Sequence, residues 1–323
     1  MNRLFAPLVP LYGGAVDLKN MAYDSGRFQA KRLAWPVVSI GNLSVGGAGK
    51  TPLVIALAAL LQARGIAVDV LSRGYGRHSK ETERVDPAGD AERYGDEPLL
   101  IARRAETPVF VGTDRYETGL LAEAGASAPR VHLLDDGFQH RKLARDADIV
   151  LLHRSDFRSS LLPAGRLREP VYALRRASFV VVRSEDDEVL EQLRWRSVHA
   201  PVWCIRRELE APRGIGGGVI AFAGIARPQE FFAGLEAGGL KLAKAIAYRD
   251  HQPWTAKKMA ELVSVASGSG AEAFVTTEKD AVRLTAAQRQ QLESVMPLRV
   301  ARLTATLEDE QEALDQLLAR LRL

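Results

Sequence analysis

Residues 35–64 constrain the fold more tightly than any other stretch. The apolar run Trp35-Pro36-Val37-Val38-Ser39-Ile40 leads into Ser44-Val45-Gly46-Gly47-Ala48-Gly49-Lys50-Thr51, and the helical pattern Pro52-Leu53-Val54-Ile55-Ala56-Leu57 follows. Strand, glycine-rich turn and helix in that order form a phosphate-binding loop. Glycines let the backbone curl so that successive N–H groups converge on phosphate oxygens. The helix N-terminus adds partial positive charge at the same point. Lys50 is expected to reach the β- and γ-phosphates, and Thr51 to offer its hydroxyl to Mg²⁺. The usual pattern opens with glycine, where this chain has Ser44; Gly49-Lys50-Thr51 keeps the rest. The nucleotide-binding residues expected are therefore Ser44, Val45, Gly46, Gly47, Ala48, Gly49, Lys50 and Thr51.

Downstream, apolar runs alternate with helical patterns. Strands are expected at 37–40, 67–71, 109–111, 131–134, 149–152 and 179–182, and helices at 51–64, stopped by Gly65, and at 97–104. Such alternation implies a mostly parallel sheet covered by helices. Ligands on such sheets sit at the carboxyl ends of the strands. Pro212-Arg213-Gly214-Ile215-Gly216-Gly217-Gly218 is the clearest interruption. Beyond it a second αβ series begins: strand 219–223, helix 228–237, strand 242–247, helix 255–267 and strand 273–276. A last strand at 298–303 precedes an amphipathic helix from Glu308 to Leu323, which has room to pack back on the first domain. The expected organisation is an N-terminal segment (1–34), a phosphate-loop nucleotide-binding domain (35–210) and a smaller α/β domain (211–323).

Length and charge narrow the function class. With 323 residues, 46% hydrophobic and 26% charged, the chain is ordinary for a globular protein with one large or two medium domains. Its net charge of +4 is modest, but Arg141, Lys142, Arg145, Arg154, Arg158, Arg166, Arg168, Arg175 and Arg176 fall close together, suiting an anionic partner. No nucleic-acid recognition signature accompanies them, so nucleic acid is not expected as a partner. The single cysteine, Cys204, excludes an internal disulfide framework and, with ATP chemistry, points to the cytoplasm. No run of 18 apolar residues exists to span a membrane. Leu4-Phe5-Ala6-Pro7-Leu8-Val9-Pro10-Leu11-Tyr12, with Arg3, Lys19, Arg27, Lys31 and Arg32 around or after it, reads in two ways. It is either a helix packed on the domain or an interfacial segment on an anionic membrane. Nothing in the sequence implies an oligomer.

Three further segments carry candidate chemistry. Strand Val131-His132-Leu133-Leu134 ends in Asp135-Asp136-Gly137-Phe138-Gln139-His140, and an apolar strand ending in Asp supplies the metal side of a phosphate-loop site. In an extended segment the two carboxylates would face opposite ways, one toward metal and one toward the acceptor. Arg73-Gly74-Tyr75-Gly76-Arg77 follows another strand and suits a loop touching phosphate. Gly95-Asp96-Glu97-Pro98 opens a helix, where Asp96 reads most simply as a cap. His251 lies 155 positions away, and spacing alone does not connect it to Asp96.

Taken together, 41–52, Ser72-Arg73-Gly74-Tyr75-Gly76-Arg77, Gly95-Asp96-Glu97-Pro98 and Leu134-Asp135-Asp136-Gly137-Phe138-Gln139-His140 resemble the tetraacyldisaccharide 4'-kinase family. So do Leu162-Pro163-Ala164-Gly165-Arg166-Leu167-Arg168-Glu169-Pro170, Phe222-Ala223-Gly224-Ile225-Ala226-Arg227-Pro228 and Thr276-Thr277-Glu278-Lys279-Asp280-Ala281. The resemblance runs from about residue 35 to 285, and the last forty residues carry no matching motif. It implies a phosphate-loop kinase fold joined to a smaller α/β domain. The implied reaction moves the γ-phosphate of ATP to the 4'-hydroxyl of an acylated glucosamine disaccharide 1-phosphate in lipid A biosynthesis. It also implies peripheral attachment to the cytoplasmic face of the bacterial inner membrane, through the N-terminal apolar segment. By the same resemblance Asp96 is the catalytic base and His251 its partner, the pair assembling as the two domains close. Asp135 and Asp136, with Thr51, serve Mg²⁺ and acceptor positioning, and Tyr75, Arg77, Arg115 and His140 form the substrate rim. The competing reading is a membrane-associated regulatory phosphate-loop ATPase. Those proteins carry Lys immediately before the paired glycines, where this chain has Val45.

Overall fold

In the computed structural model, which describes residues 3–47 and 49–323, one twelve-stranded sheet runs through the molecule. Its strands are β1 (Val37–Asn42), β2 (Val68–Ser72), β3 (Glu83–Arg84), β4 (Val109–Val111), β5 (Val131–Asp135), β6 (Ala147–Leu151), β7 (Phe179–Arg183), β8 (Val202–Glu210), β9 (Gly218–Ala223), β10 (Lys241–Ala247), β11 (Ala271–Thr277) and β12 (Leu298–Leu307). The helices are α1 (Val9–Asp24), α2 (Lys50–Ala63), α3 (Ala91–Tyr94), α4 (Asp96–Arg104), α5 (Arg115–Ala124), α6 (Asp187–Trp195), α7 (Pro228–Ala237), α8 (Ala256–Ala266), α9 (Glu278–Ala281), α10 (Ala286–Glu293) and α11 (Glu310–Leu321). Every strand and helix expected from the sequence is present, with ends shifted by a few residues. Short or charge-rich elements such as β3, β8, α5 and α6 join them.

Strand order is β10-β9-β11-β12-β8-β7-β6-β1-β5-β2-β4-β3. Pairing is parallel except at β3/β4 and β8/β12. Central strands β1, β2 and β5 are buried along their whole length, which is why they read as mostly apolar rather than strictly alternating, and the polar pair inside them, Asp69 and His132, meets at 2.6 Å. β12 is four residues longer than its sequence pattern suggested. Its first part, Leu298–Ala301, pairs in parallel with β11, and Arg302–Leu307 pairs antiparallel with Ile205–Glu210 of β8. A single strand therefore joins the edge of one αβ series to the edge of the other.

Helices cover both faces. α2, α4 and α11 pack one face of the β7-to-β4 half, where Leu53, Leu57, Leu61, Leu99, Leu314 and Leu317 are buried together with Val38, Val70 and Leu133. In the β10-to-β12 half, α7 covers one face and α8 with α10 the other. The last helix does pack back: Leu314, Leu317 and Leu321 share a core with α2, and Arg64 meets Asp315 at 2.9 Å.

α1 reconciles the two readings of the N-terminus. One side docks on the segment after β5 and on the 162–170 loop. Tyr12 Oη donates to the Arg168 carbonyl at 3.1 Å, Lys19 Nζ to the Gln139 carbonyl at 3.0 Å, and Asn20 Nδ2 to Glu169 Oε2 at 2.9 Å. The other side leaves Leu11, Leu18 and Met21 exposed, with Leu11 at 76%.

Leu317→Ala removes a fully buried side chain from the α2–α11 core and is expected to lower unfolding free energy by about 3 kcal/mol. Asp315→Asn, at an exposed and solvent-screened pair, should leave it unchanged within experimental error. Denaturant unfolding of both variants checks this.

Candidate active site

β1 ends at Asn42, and the chain turns through the loop into α2, whose first residue is Lys50. Gly46 and Gly49 both take positive φ (96° and 92°), a conformation that costs glycine little and other residues more. Val45, Gly46, Gly47, Gly49, Lys50 and Thr51 line a cleft of about 1530 Å³ between the two halves of the sheet. Ser44 does not line it. It is buried, its carbonyl accepts from Asn42 Nδ2 at 2.8 Å, and its hydroxyl lies 3.4 Å from the same nitrogen. The residue at the position where glycine was expected therefore braces the turn. Ala48 lies outside the described residues.

The floor of the cleft is a charged network. Lys50 Nζ donates to Asn42 Oδ1 at 2.8 Å and lies 3.2 Å from Asp136 Oδ1. Arg168 forks onto Asp136, Nη1 to Oδ2 at 2.9 Å and Nη2 to Oδ1 at 2.8 Å, and Nη2 also reaches Asn42 Oδ1 at 2.6 Å. Burial would raise the Asp136 carboxyl, but the Lys50 and Arg168 charges hold it well below the usual carboxylate range. The segment is not extended here. β5 stops at Asp135 and Asp136 takes φ 53°, so the two carboxylates are parted by a turn rather than by alternation along a strand. Asp135 accepts from Ser72 Oγ at 3.1 Å through Oδ2, while its buried Oδ1 has no partner. Burial, then Glu97 and Asp136, push its carboxyl up to about 7. A close approach holds this region together: a Cβ on Gly41 would stand 2.5 Å from Phe138 Cβ and 2.9 Å from the Phe138 nitrogen.

Asp96 and His251 do meet. His251 Nδ1 lies 2.9 Å from Asp96 Oδ2. The contact is close but bent, so Oδ2 keeps a lone pair with no aligned donor, while Oδ1 accepts from the Glu97 N–H at 2.9 Å. Asp96 is 4% exposed. Burial alone would raise its carboxyl; the His251 hydrogen bond and the charges of Lys279, His251 and Arg283 leave it below the usual value. Gly95, not Asp96, is the helix cap. His251 arrives from the β10–α8 loop at φ 54°, with the Tyr75 ring edge-on at 5.4 Å.

Among the other rim residues, Tyr75, Arg115 and His140 line the cleft and Arg77 does not. The Arg77 side chain is 3% exposed, turned inward 4.0 Å from Glu83. Its loop faces the cleft through Arg73 and Tyr75 instead. Burial, then neighbouring Arg73, lower the Arg115 guanidinium to about 10, and burial with Arg115 lowers the His140 imidazole to about 4. His140 is therefore neutral at neutral pH.

Several cleft residues were not singled out from the sequence. Arg168, Arg166 and Arg227 sat inside quoted motifs without an assigned role. Asn42 and Ser72 likewise sat inside quoted motifs, whereas Arg183 and Arg207 carried no signal beyond position. Arg183, Arg207 and Arg227 gather around Glu230 at 2.9, 3.8 and 3.1 Å, beside the loop; a Cβ on Gly49 would touch the Arg207 guanidinium at 3.5 Å. Lys279 Nζ donates to Glu97 Oε1 at 2.8 Å and faces His251 Nε2 at 3.2 Å.

Chemically, the cleft pairs a cation-lined phosphate cradle with a carboxylate able to accept a proton. A family model described as LpxK, tetraacyldisaccharide-1-P 4'-kinase, matches residues 1–322. The tetraacyldisaccharide 4'-kinase of Koribacter versatilis is 44% identical over 322 residues, 97% of each chain. That of Geobacter metallireducens is 41% identical over 300 residues, 87% of this chain and 88% of the relative. Among solved structures, the crystal structure of the "apo" form of LpxK from Aquifex aeolicus in complex with ATP matches with a TM-score of 0.79 at 33% identity, covering 99% of both chains.

Arg168→Met should leave Asp136 with Lys50 alone and destabilise the protein by about 2 kcal/mol, as losing a hydrogen bond to a charged group does. Adding Asp136→Asn should recover part of that loss, read as a coupling energy in a double-mutant cycle of thermal unfolding.

Proposed function

The chain belongs to the tetraacyldisaccharide 4'-kinase family, and from that premise we propose how its own residues carry out the transfer. It is an ATP-dependent kinase of lipid A biosynthesis, phosphorylating the 4'-hydroxyl of a tetraacyldisaccharide 1-phosphate. The roles of its residues are read from the cleft, and the contact between Asp96 and His251 beside the phosphate loop carries that reading.

Loop amides and Lys50 hold the triphosphate, with Arg168 fixing Asp136 and Asn42 around the Lys50 ammonium. The 4'-hydroxyl oxygen attacks the γ-phosphorus in line. The new O–P bond forms as the bond to the bridging oxygen breaks, and ADP leaves with that electron pair. The hydroxyl proton passes to Asp96 Oδ2, the oxygen without an aligned donor. His251 orients this carboxylate. A depressed carboxylate is a weak base, which suits proton transfer late in a loose transition state, when positioning and charge do most of the catalysis. The two sheet halves form the proposed lobes, and the Asp96–His251 pair spans them, already in contact.

Thr51 and Asp135 fit Mg²⁺. Asp135 presents a buried, partnerless carboxylate oxygen whose charge is disfavoured by neighbouring carboxylates, whereas both Asp136 oxygens are engaged by Arg168 and Lys50. Among the described residues no three His, Cys, Asp or Glu side chains enclose a metal site, consistent with an ion that takes other ligands from phosphate and water. When bound, it offsets negative charge on the phosphates.

Lys19, Arg141 and Lys142 line the cleft end next to α1, and their charge suits the 1-phosphate of the acceptor. No described helix is long and apolar enough to cross a membrane. The exposed Leu11, Leu18 and Met21 stripe supports a peripheral contact with an anionic bilayer, on the cytoplasmic face of the inner membrane where ATP is available.

γ-Labelled ATP, incubated with the protein and the disaccharide 1-phosphate, should place label on the lipid; release only as inorganic phosphate would favour the regulatory ATPase. Asp96→Ala should lower kcat by on the order of 10²-fold or more while sparing ATP affinity, and near-normal turnover would remove Asp96 from the mechanism. Chelation by EDTA should abolish transfer, and Asp135→Asn should raise the Mg²⁺ concentration needed for half-maximal rate.

A further inference from the structure

Lys279 lines the cleft and stands against the base pair. It lies on α9, the short helix that follows β11, and reaches across the cleft to the first turn of α4, where Glu97 accepts from it at 2.8 Å. Its Nζ also faces His251 Nε2 at 3.2 Å. An ammonium offers protons and no lone pair, so a ring nitrogen at this distance must be the acceptor. The ring proton then sits on Nδ1, on the side of the ring that stands 2.9 Å from Asp96 Oδ2. We propose that Lys279, anchored by Glu97, is a positioning residue that fixes the tautomer of His251 and keeps its ring singly protonated, leaving Asp96 free to act as base. The proposal rests on the Asp96–His251 reading above.

The charges around the ring make this control necessary. α4 contributes Asp96 and Glu97. The ring's own loop contributes Asp250, with Oδ1 3.8 Å from Nε2. From the α9 side come Lys279 and Arg283, the latter 3.9 Å from Asp96 Oδ2 and paired to Asp280. Tyr75 covers the ring edge-on. Two carboxylates thus flank one imidazole, and a third, Glu97, is held by the lysine beside it. Without Lys279, Asp250 and the released Glu97 favour a second proton at Nε2. The resulting imidazolium forms a full ion pair with Asp96 and draws its lone pair away from the hydroxyl. Burial would lower the Lys279 ammonium, but Glu97 and Asp96 hold it above its ordinary value, so it stays charged through the working pH range. A second link makes the effect separable from docking. Arg104 Nη1 donates to both Glu278 oxygens at 2.6 and 2.7 Å, joining the same two helices without Lys279.

The test is kcat measured from pH 6 to 9.5 at saturating ATP and acceptor, for the parent, Lys279→Met, Lys279→Arg, His251→Ala and the double variant. Lys279→Met should lower kcat about tenfold at pH 7, a part of what general-base catalysis is worth. The KM for ATP should stay within about twofold. The deficit should shrink as pH rises and the second proton leaves the ring, so the acid limb moves to higher pH. Lys279→Arg, keeping charge and donors, should restore part of the rate. In the His251→Ala background, Lys279→Met should change kcat by less than about twofold. A deficit equal at every pH, or undiminished in the His251→Ala background, would make Lys279 a structural strut and overturn the proposal. Near-normal kcat for Asp96→Ala would instead overturn the base assignment itself. Should Lys279→Met fail to fold by circular dichroism, Lys279→Gln retains a donor without charge, and its acid limb must move in the same direction by a smaller amount.

Discussion

The antiparallel pairing of β8 with the second part of β12 is the constraint on which the site depends. Six residue pairs, from Arg302 with Glu210 to Leu307 with Ile205, connect two αβ series that would otherwise be separate sheets. α9 precedes β12 in the chain, and the β10–α8 loop lies on the same side of that half-sheet. Fixing β12 therefore fixes where Lys279 and His251 stand relative to Asp96 and Glu97 of α4. A contact between positions 96 and 251 depends on this ribbon, because the two residues come from different αβ series.

The cleft also shows how charge is kept tolerable in a partly buried space. Each carboxylate near the phosphate cradle is handled differently. Asp136 is held by Lys50 and Arg168, Glu97 by Lys279, and Asp96 by a histidine and more distant cations. Asp135 keeps a buried oxygen with neither a hydrogen bond nor a cation beside it. A buried group of that kind is costly unless function supplies what is missing, and the proposed Mg²⁺ would do so. The arginines around Glu230 follow the same rule from the other side of the loop: surplus positive charge is held in place where triphosphate charge will arrive.

What the sequence made legible was what lies contiguous along the chain. The phosphate loop, the apolar strands and the Asp-Asp turn are each encoded within about ten residues, so periodicity and glycine placement suffice. Residues whose roles arise from distant contacts were not legible. Arg168 was one of many arginines until the fold set it on Asp136, and Lys279 was one letter of a motif until α9 met α4. Asp96 looked like a helix cap, and only family resemblance raised it above that. β8 was missed because its second half is crowded with charges, Arg206, Arg207, Glu208 and Glu210, as a two-stranded ribbon with little core beneath it can be. Arg77 was expected at the rim because its neighbours are there, but its side chain found Glu83.

The place of α11 bears on how this chain is made. Leu314, Leu317 and Leu321 complete the same core as Leu57 and Leu61 of the nucleotide-binding half, yet they are encoded at the far end of the chain, after the whole β9-to-β12 series. At roughly 5–20 residues per second of translation, the residues from 211 to 323 take on the order of 6 to 20 s to appear. For that interval the emerging phosphate-loop half carries an uncovered apolar face beside α2. Vectorial synthesis thus leaves the ATP-binding half unfinished until the last turn of helix leaves the ribosome, and a nascent chain released early would present that face to chaperones.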